Sequence, residues 1–158
     1  MTRALNTVLL INLIYDGVDN LSFEQEIKLA SIIAVLKGQQ FKYSTTDCNS
    51  FVARCVDAQL GTDTWNELIR GRYNTALGAR RFQHKLNPDA YLKQMGYNVI
   101  SADGGLQNGD IVLVDEKNFT CAHICYGGSL WSSDVKRGIC VITEYTIPDS
   151  ARIYRLGV

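Results

Sequence analysis

The chain has 158 residues, enough for one domain that builds its own hydrophobic core without disulfide staples. Sixteen Lys and Arg balance sixteen Asp and Glu, and 46% of residues are apolar, so the chain lacks the basic excess of a nucleic-acid binder and has no acidic tail. Five cysteines, an odd number at unrepeated spacings, argue against a secreted disulfide framework and for reduced thiols in a protein made in a cytosol.

The first twenty residues form an apolar arm with Arg3 followed by a run from Val8 to Tyr15. Asn12 interrupts the run, no small-x-small cleavage site follows, and the run is too short to cross a bilayer, so neither a signal peptide nor a membrane span is expected. The run reads as a buried strand or helix, or as an arm that docks onto a partner protein. The remaining residues, 21–158, read as one domain.

Ser22 with Gln25 three residues on makes a capping box, and Ile27, Ala30, Ile33 and Ala34 follow at helical spacing up to Gly38. The extended piece "FKYSTT" leads to Asp47, a good N-cap, and a second helix runs from Cys48 to about Leu60, closed by Gly61. Its stripe is Cys48, Phe51, Val52, Cys55, Val56 and Gln59. The segment from Thr62 to Leu86 predicts one or two further helices, broken near Gly71. After Gly96 the period changes to that of strands: "YNVISA", "GDIVLVD", "CAHICYGG", "GICVITEY" and "ARIYRL". Helices first and strands second indicate an α+β fold, with N-terminal helices packed on a C-terminal antiparallel sheet.

Two cysteines on the second helix differ in environment. Cys48 sits in the first turn, where unpaired N–H groups and the positive dipole end favour a thiolate. Cys55 lies two turns deeper on the apolar face, where burial leaves a thiol inert. A cysteine nucleophile needs a base. His84, in "RRFQHKL", reads as solvated surface. His123, in "TCAHICYGG", alternates with apolar residues, so that Cys121, His123 and Cys125 share one face and Ala122, Ile124 and Tyr126 the other. His123 is therefore the candidate base. Cys-x-His-x-Cys with Cys140 has the ligand types of a zinc site, but strand spacing strains one tetrahedral ion, and no metal or cofactor is expected. Cys55, Cys121, Cys125 and Cys140 read as small hydrophobes in packing. Trp65, Tyr73 and Trp131 read as core or cleft wall. Arg72, Arg80 and Arg81 read as a solvated helix face, with a carboxylate-binding role for one of them open, and Gly78 reads as permitting close helix packing.

"FKYSTTDCNSFV" resembles the "aromatic-x-aromatic-Gly … Asp-Cys-Ser-Gly-Phe" segment of NlpC-like cell-wall peptidases, a papain-like group of cysteine hydrolases. "LQNGDIVLVD" resembles their Gly-Asp strand opening, and "AHICYGGSLW" their "His-Val-Gly-Ile-Tyr-x-Gly" strand. The order Cys, Gly-Asp, His is the family's order, with 75 residues between Cys48 and His123. "GTDTW…GRYNTALGARRF" is similar to a phage-encoded branch that lies among tail genes and carries no assigned function. The resemblance runs from about Leu21 to Leu156.

The resemblance implies a papain-like NlpC-type fold with Cys48 as nucleophile, His123 as general base and Asp47 as helix cap. It implies cleavage of peptide-type amide bonds in peptidoglycan stem peptides, in a virion protein of the phage tail tip made in the host cytoplasm. The third residue, which orients the imidazole, normally follows on the next strand; Ser132, Ser133 and Asp134 are the candidates. The sequence departs from the family at Phe41, where many relatives have a tyrosine, at Ser44 in place of glycine, and at Asn49-Ser50 in place of Ser-Gly. These departures and the apolar arm support an alternative: a catalytically silent structural component of the tail tip or hub, with other tail proteins as partners. Acyl transfer on the same scaffold is a third reading.

Overall fold

The computed structural model describes residues 21–143 and 146–157. The N-terminal arm expected over residues 1–20 lies outside the described residues. Among the described residues five α-helices come first: α1 (Phe23–Leu36), α2 (Cys48–Leu60), α3 (Thr64–Ile69), α4 (Ala76–Lys85) and α5 (Pro88–Gln94). Six strands follow: β1 (Tyr97–Ile100), β2 (Ile111–Asp115), β3 (Thr120–Tyr126), β4 (Ser129–Asp134), β5 (Gly138–Val141) and β6 (Arg152–Leu156). The α+β order expected from the change of period is therefore what the chain adopts.

Local chemistry sets the helix ends. Ser22 and Gln25 close the capping box of α1. Its buried side is Leu29, Ile33 and Leu36, so Ile27, expected in the apolar stripe, is instead 49% exposed. The Asp47 side chain accepts from the Ser50 N–H at the start of α2, and Gly61 ends that helix at φ 69°. Gly71, at φ 72°, separates α3 from α4. Helix α5 was not foreseen, although Asn87 caps it through Ala90 N–H and Pro88 stands in its first turn, a favoured combination.

The strands form one antiparallel sheet in the order β1-β6-β2-β3-β4-β5. Gly127 and Gly128, both at positive φ, make the two-residue turn between β3 and β4. Helix α2 is buried on nearly all sides and packs on β3 and β4. Its Phe51, Val52, Cys55 and Val56 are fully buried with Leu113, Ala122 and Ile124 from the sheet, each large apolar side chain contributing roughly 1.5–3 kcal/mol. The opposite sheet face carries a smaller cluster of Val112, Val114 and Ile153. Along β3, then, Ala122 and Ile124 face the body of α2, while Cys121 and His123 share the other face with Val114 and Val112.

The Gly-Asp pair before β2 has a structural role. Gly109 has φ 90°, and a Cβ there would lie 2.7 Å from Leu21 Cδ1. Asp110, 1% exposed, accepts from Gln107 N–H and takes two bonds from Arg155 at 2.9 and 2.7 Å.

Candidate functional site

The site begins with the turn before α2. Ser44 adopts a left-handed backbone at φ 57°, where the similar peptidases carry glycine. The serine is held there by two bonds: its N–H donates to Asp47 Oδ2 at 2.7 Å, and its hydroxyl accepts from Gly71 N–H at 3.1 Å. Asp47 gathers a third donor besides Ser44 and Ser50, the Tyr73 hydroxyl at 2.7 Å. Burial and the neighbouring carboxylate push the Tyr73 phenol well above its usual range. Asp47 is thus the cap expected for it and also a three-way tie, while Tyr73, read from sequence as core, is a supporting residue of the site. Its signal was the hydroxyl on an otherwise apolar position.

Cys48 follows the cap and is 5% exposed. The β3–β4 ladder covers Ile124 to Tyr126 and stops there, leaving the edge of β3 near Ala122 without a strand partner on that side. The first turn of α2 and Ser132 use this opening. The Ala122 carbonyl accepts from the Ser132 hydroxyl at 2.8 Å, and the Ala122 N–H points to the Cys48 sulfur. The side chain that acts most strongly on Cys48 is that of Cys121. Asn49, next to Cys48, donates from Nδ2 to the carbonyl of Thr120, next to Cys121, at 3.1 Å. Gln83 from α4 holds the same residue twice, accepting from Thr120 N–H at 2.9 Å and donating to its carbonyl at 2.8 Å.

His123, the expected base, is directed elsewhere. It lies opposite Val112 in the β2–β3 register, and its Nδ1 is 3.4 Å from the Val112 carbonyl, a contact that needs the proton on Nδ1. His123 lies on the Val112 and Val114 face of the sheet, as Cys121 does, but two residues further along β3 from the Thr120 end that Asn49 meets. Burial holds its pKa below the ordinary value, the Val112 carbonyl opposing. Cys121, read from sequence as packing, has a thiol that interacts with Cys48.

The electrostatics follow from this pairing. The bond to Cys121 and burial push the Cys48 thiol up, and the Asp47 carboxylate adds to the effect. The helix dipole that favours a thiolate is thus outweighed. Cys121 is shifted the other way by the bond from Cys48 and by Ser132, against the cost of burial. Ser132 has one proton, which it gives to the Ala122 carbonyl, so it serves a Cys121 thiolate only by turning away from that carbonyl. The other orienting candidates sit apart from the sulfurs: Ser133 donates a short hydrogen bond to the Thr46 carbonyl, and Asp134 accepts from the N–H groups of Lys136 and Arg137 in the β4–β5 turn.

Cys55 is fully buried, and burial carries its thiol far up. His84, Arg72, Arg80 and Arg81 are exposed, as read from sequence. A Cβ on Gly78 would lie 3.0 Å from Tyr73 Cβ, in keeping with close packing there. Among the described residues, no group of three or more His, Cys, Asp or Glu could hold a metal ion, and no helix is long and apolar enough to cross a membrane.

Residues 23–153 match the model of a family described as a domain of unknown function (DUF6950), and the chain belongs to that family. No curated protein matches the chain significantly.

Proposed function

We propose that this protein is a catalytically silent structural component of a phage tail tip, built on a papain-like scaffold without a working hydrolase pair. The observation that carries the silent reading is the partner of Cys48: a thiol, Cys121, faces it where a cysteine hydrolase requires a base. A buried thiol whose pKa is raised supplies little thiolate at neutral pH. The tail-tip placement rests on the resemblance of "GTDTW…GRYNTALGARRF" to phage tail-encoded proteins, and its partners are other tail proteins. The test is a phage carrying Cys48→Ala. Normal assembly and normal DNA injection are expected, and purified wild-type protein should release no soluble peptides from cell walls. Peptide release that disappears in Cys48→Ala would overturn the reading.

One observation favours the alternative, a peptidoglycan endopeptidase or amidase. Cys48 occupies the first turn of a capped helix, and His123 stands two residues beyond Cys121 on the same strand, roughly 6.5–7 Å along the chain. In that reading the imidazole would have to leave the Val112 carbonyl to reach the sulfur. A phage variant that assembles normally but injects poorly would favour it.

A further inference from the structure

We propose that Cys48 and Cys121 form a thiol–disulfide exchange site that reacts with small-molecule disulfides of the glutathione type and closes into a Cys48–Cys121 bond. The inference does not depend on the tail-tip placement, nor on whether the chain hydrolyses anything.

The two thiols interact with each other, and a hydrogen bond between their sequence neighbours ties the two segments together. The Asn49 side chain grips the Thr120 carbonyl, so the residue after one cysteine is tied to the residue before the other. Gln83 fixes Thr120 from α4, and Asp47 fixes the start of α2 through Ser44, Ser50 and Tyr73. Closing a disulfide takes Cα atoms about 4.4–6.8 Å apart and side-chain rotation that brings the sulfurs to bonding distance, and anchored segments keep such a pair in register. The other thiols are placed differently: Cys55 is buried two turns deeper in α2, Cys125 lies at the far end of β3, and Cys140 pairs with Ser132 on β5.

The environments divide the labour. Cys121 is only partly buried and carries the more available thiolate, whereas Cys48 is 5% exposed. The Cys121 thiolate attacks one sulfur of the external disulfide, the external S–S bond breaks, and one thiolate leaves and takes up a proton. The Cys48 sulfur then attacks Cys121 in the mixed disulfide, its proton passing to the second leaving thiolate. The pair loses two electrons and two protons, and the external disulfide becomes two thiols. The bond formed joins the first turn of α2 to β3.

The experiment uses the full chain with oxidised glutathione, followed by denaturing alkylation and peptide mapping. Wild type should lose two hydrogens and yield a Cys48–Cys121 linked peptide, reversed by dithiothreitol. Cys48→Ser should retain glutathione on Cys121, while Cys121→Ser should leave Cys48 unmodified over the same time. Phenylarsine oxide, which bridges two neighbouring thiols, gives an independent readout on the folded wild type: it should bind, and either variant should abolish that binding. A link to any other cysteine would overturn the proposal. So would persistent glutathione on wild-type Cys121, prompt glutathione addition at Cys48 in Cys121→Ser, or failure of the arsenical to bridge the pair.

Discussion

Replacing Tyr73 by Phe tests whether the Asp47 carboxylate is the tie that holds the start of α2. The substitution removes one O–H donor at 2.7 Å and leaves the ring, with its neighbours Tyr43 and Phe82, in place. Asp47 keeps the N–H groups of Ser44 and Ser50, but it is 4% exposed, so water does not readily replace the lost donor. A hydrogen bond to a charged group is worth about 1.5–3 kcal/mol. At about 2–4 °C per kcal/mol for a chain of this size, the melting temperature should fall by roughly 3–12 °C. Urea unfolding should show a lower midpoint at unchanged slope. Tyr154→Phe is the control: its hydroxyl donates to Asp89 at 2.6 Å, but Asp89 is 21% exposed and keeps Arg152 at 2.6 and 3.0 Å, so about 0.5–1.5 kcal/mol is expected. A Tyr73→Phe loss below about 0.5 kcal/mol, or one no larger than that of Tyr154→Phe, would refute the role given to Asp47.

Three other outcomes are expected. Monitored by NMR, His123 should titrate below its ordinary 6.5, because burial disfavours the imidazolium; a midpoint above that value would indicate an imidazolium paired with a thiolate. Arg155→Ala should cost about 3–5 kcal/mol by chemical denaturation, since it strands the buried Asp110 carboxylate, and a loss under about 1 kcal/mol would sink that account. The third concerns Arg152. At Asp89, burial acts upward but the bonds from Arg152 and Tyr154 outweigh it, and at Asp115 the bond from Arg152 leads, so both carboxyls lie below their usual range. Folded values below unfolded ones give stability that is present above about pH 4 and lost as pH falls through the folded values. Arg152→Ala should therefore flatten the acid limb of a stability–pH curve, and an unchanged limb would refute the linkage.

What could be read from the sequence was what short-range chemistry dictates. Asp47 as cap, Cys48 in the first turn and the alternation along β3 each depend on residues within a turn or a strand. The partner of Cys48 depends on two long-range facts. One is that the first turn of α2 meets β3 at Thr120, through Asn49; the other is that the β3–β4 ladder ends at Ile124 and opens an edge. Neither is encoded in "CAHICYGG", so that segment alone does not single out Cys121 as a neighbour of Cys48. Tyr73 was legible as core or cleft wall, but not its bond to Asp47, since that acceptor is 26 residues away. Helix α5 is different: Asn87-Pro88 was a legible local start, overlooked because the stretch is short and lies between stronger patterns.

The loop after α1 has a consequence for how copies of this protein can add to one another. Gly38 donates to the Ile139 carbonyl and Ile139 donates to the Gln39 carbonyl, so the outer rim of β5 is already occupied by the chain itself. Gly138 makes this possible, because a Cβ there would fall 2.1 Å from the Gln39 oxygen. A strand whose outer rim is already bonded to its own chain offers no template to a neighbour, so lateral strand addition is closed at β5.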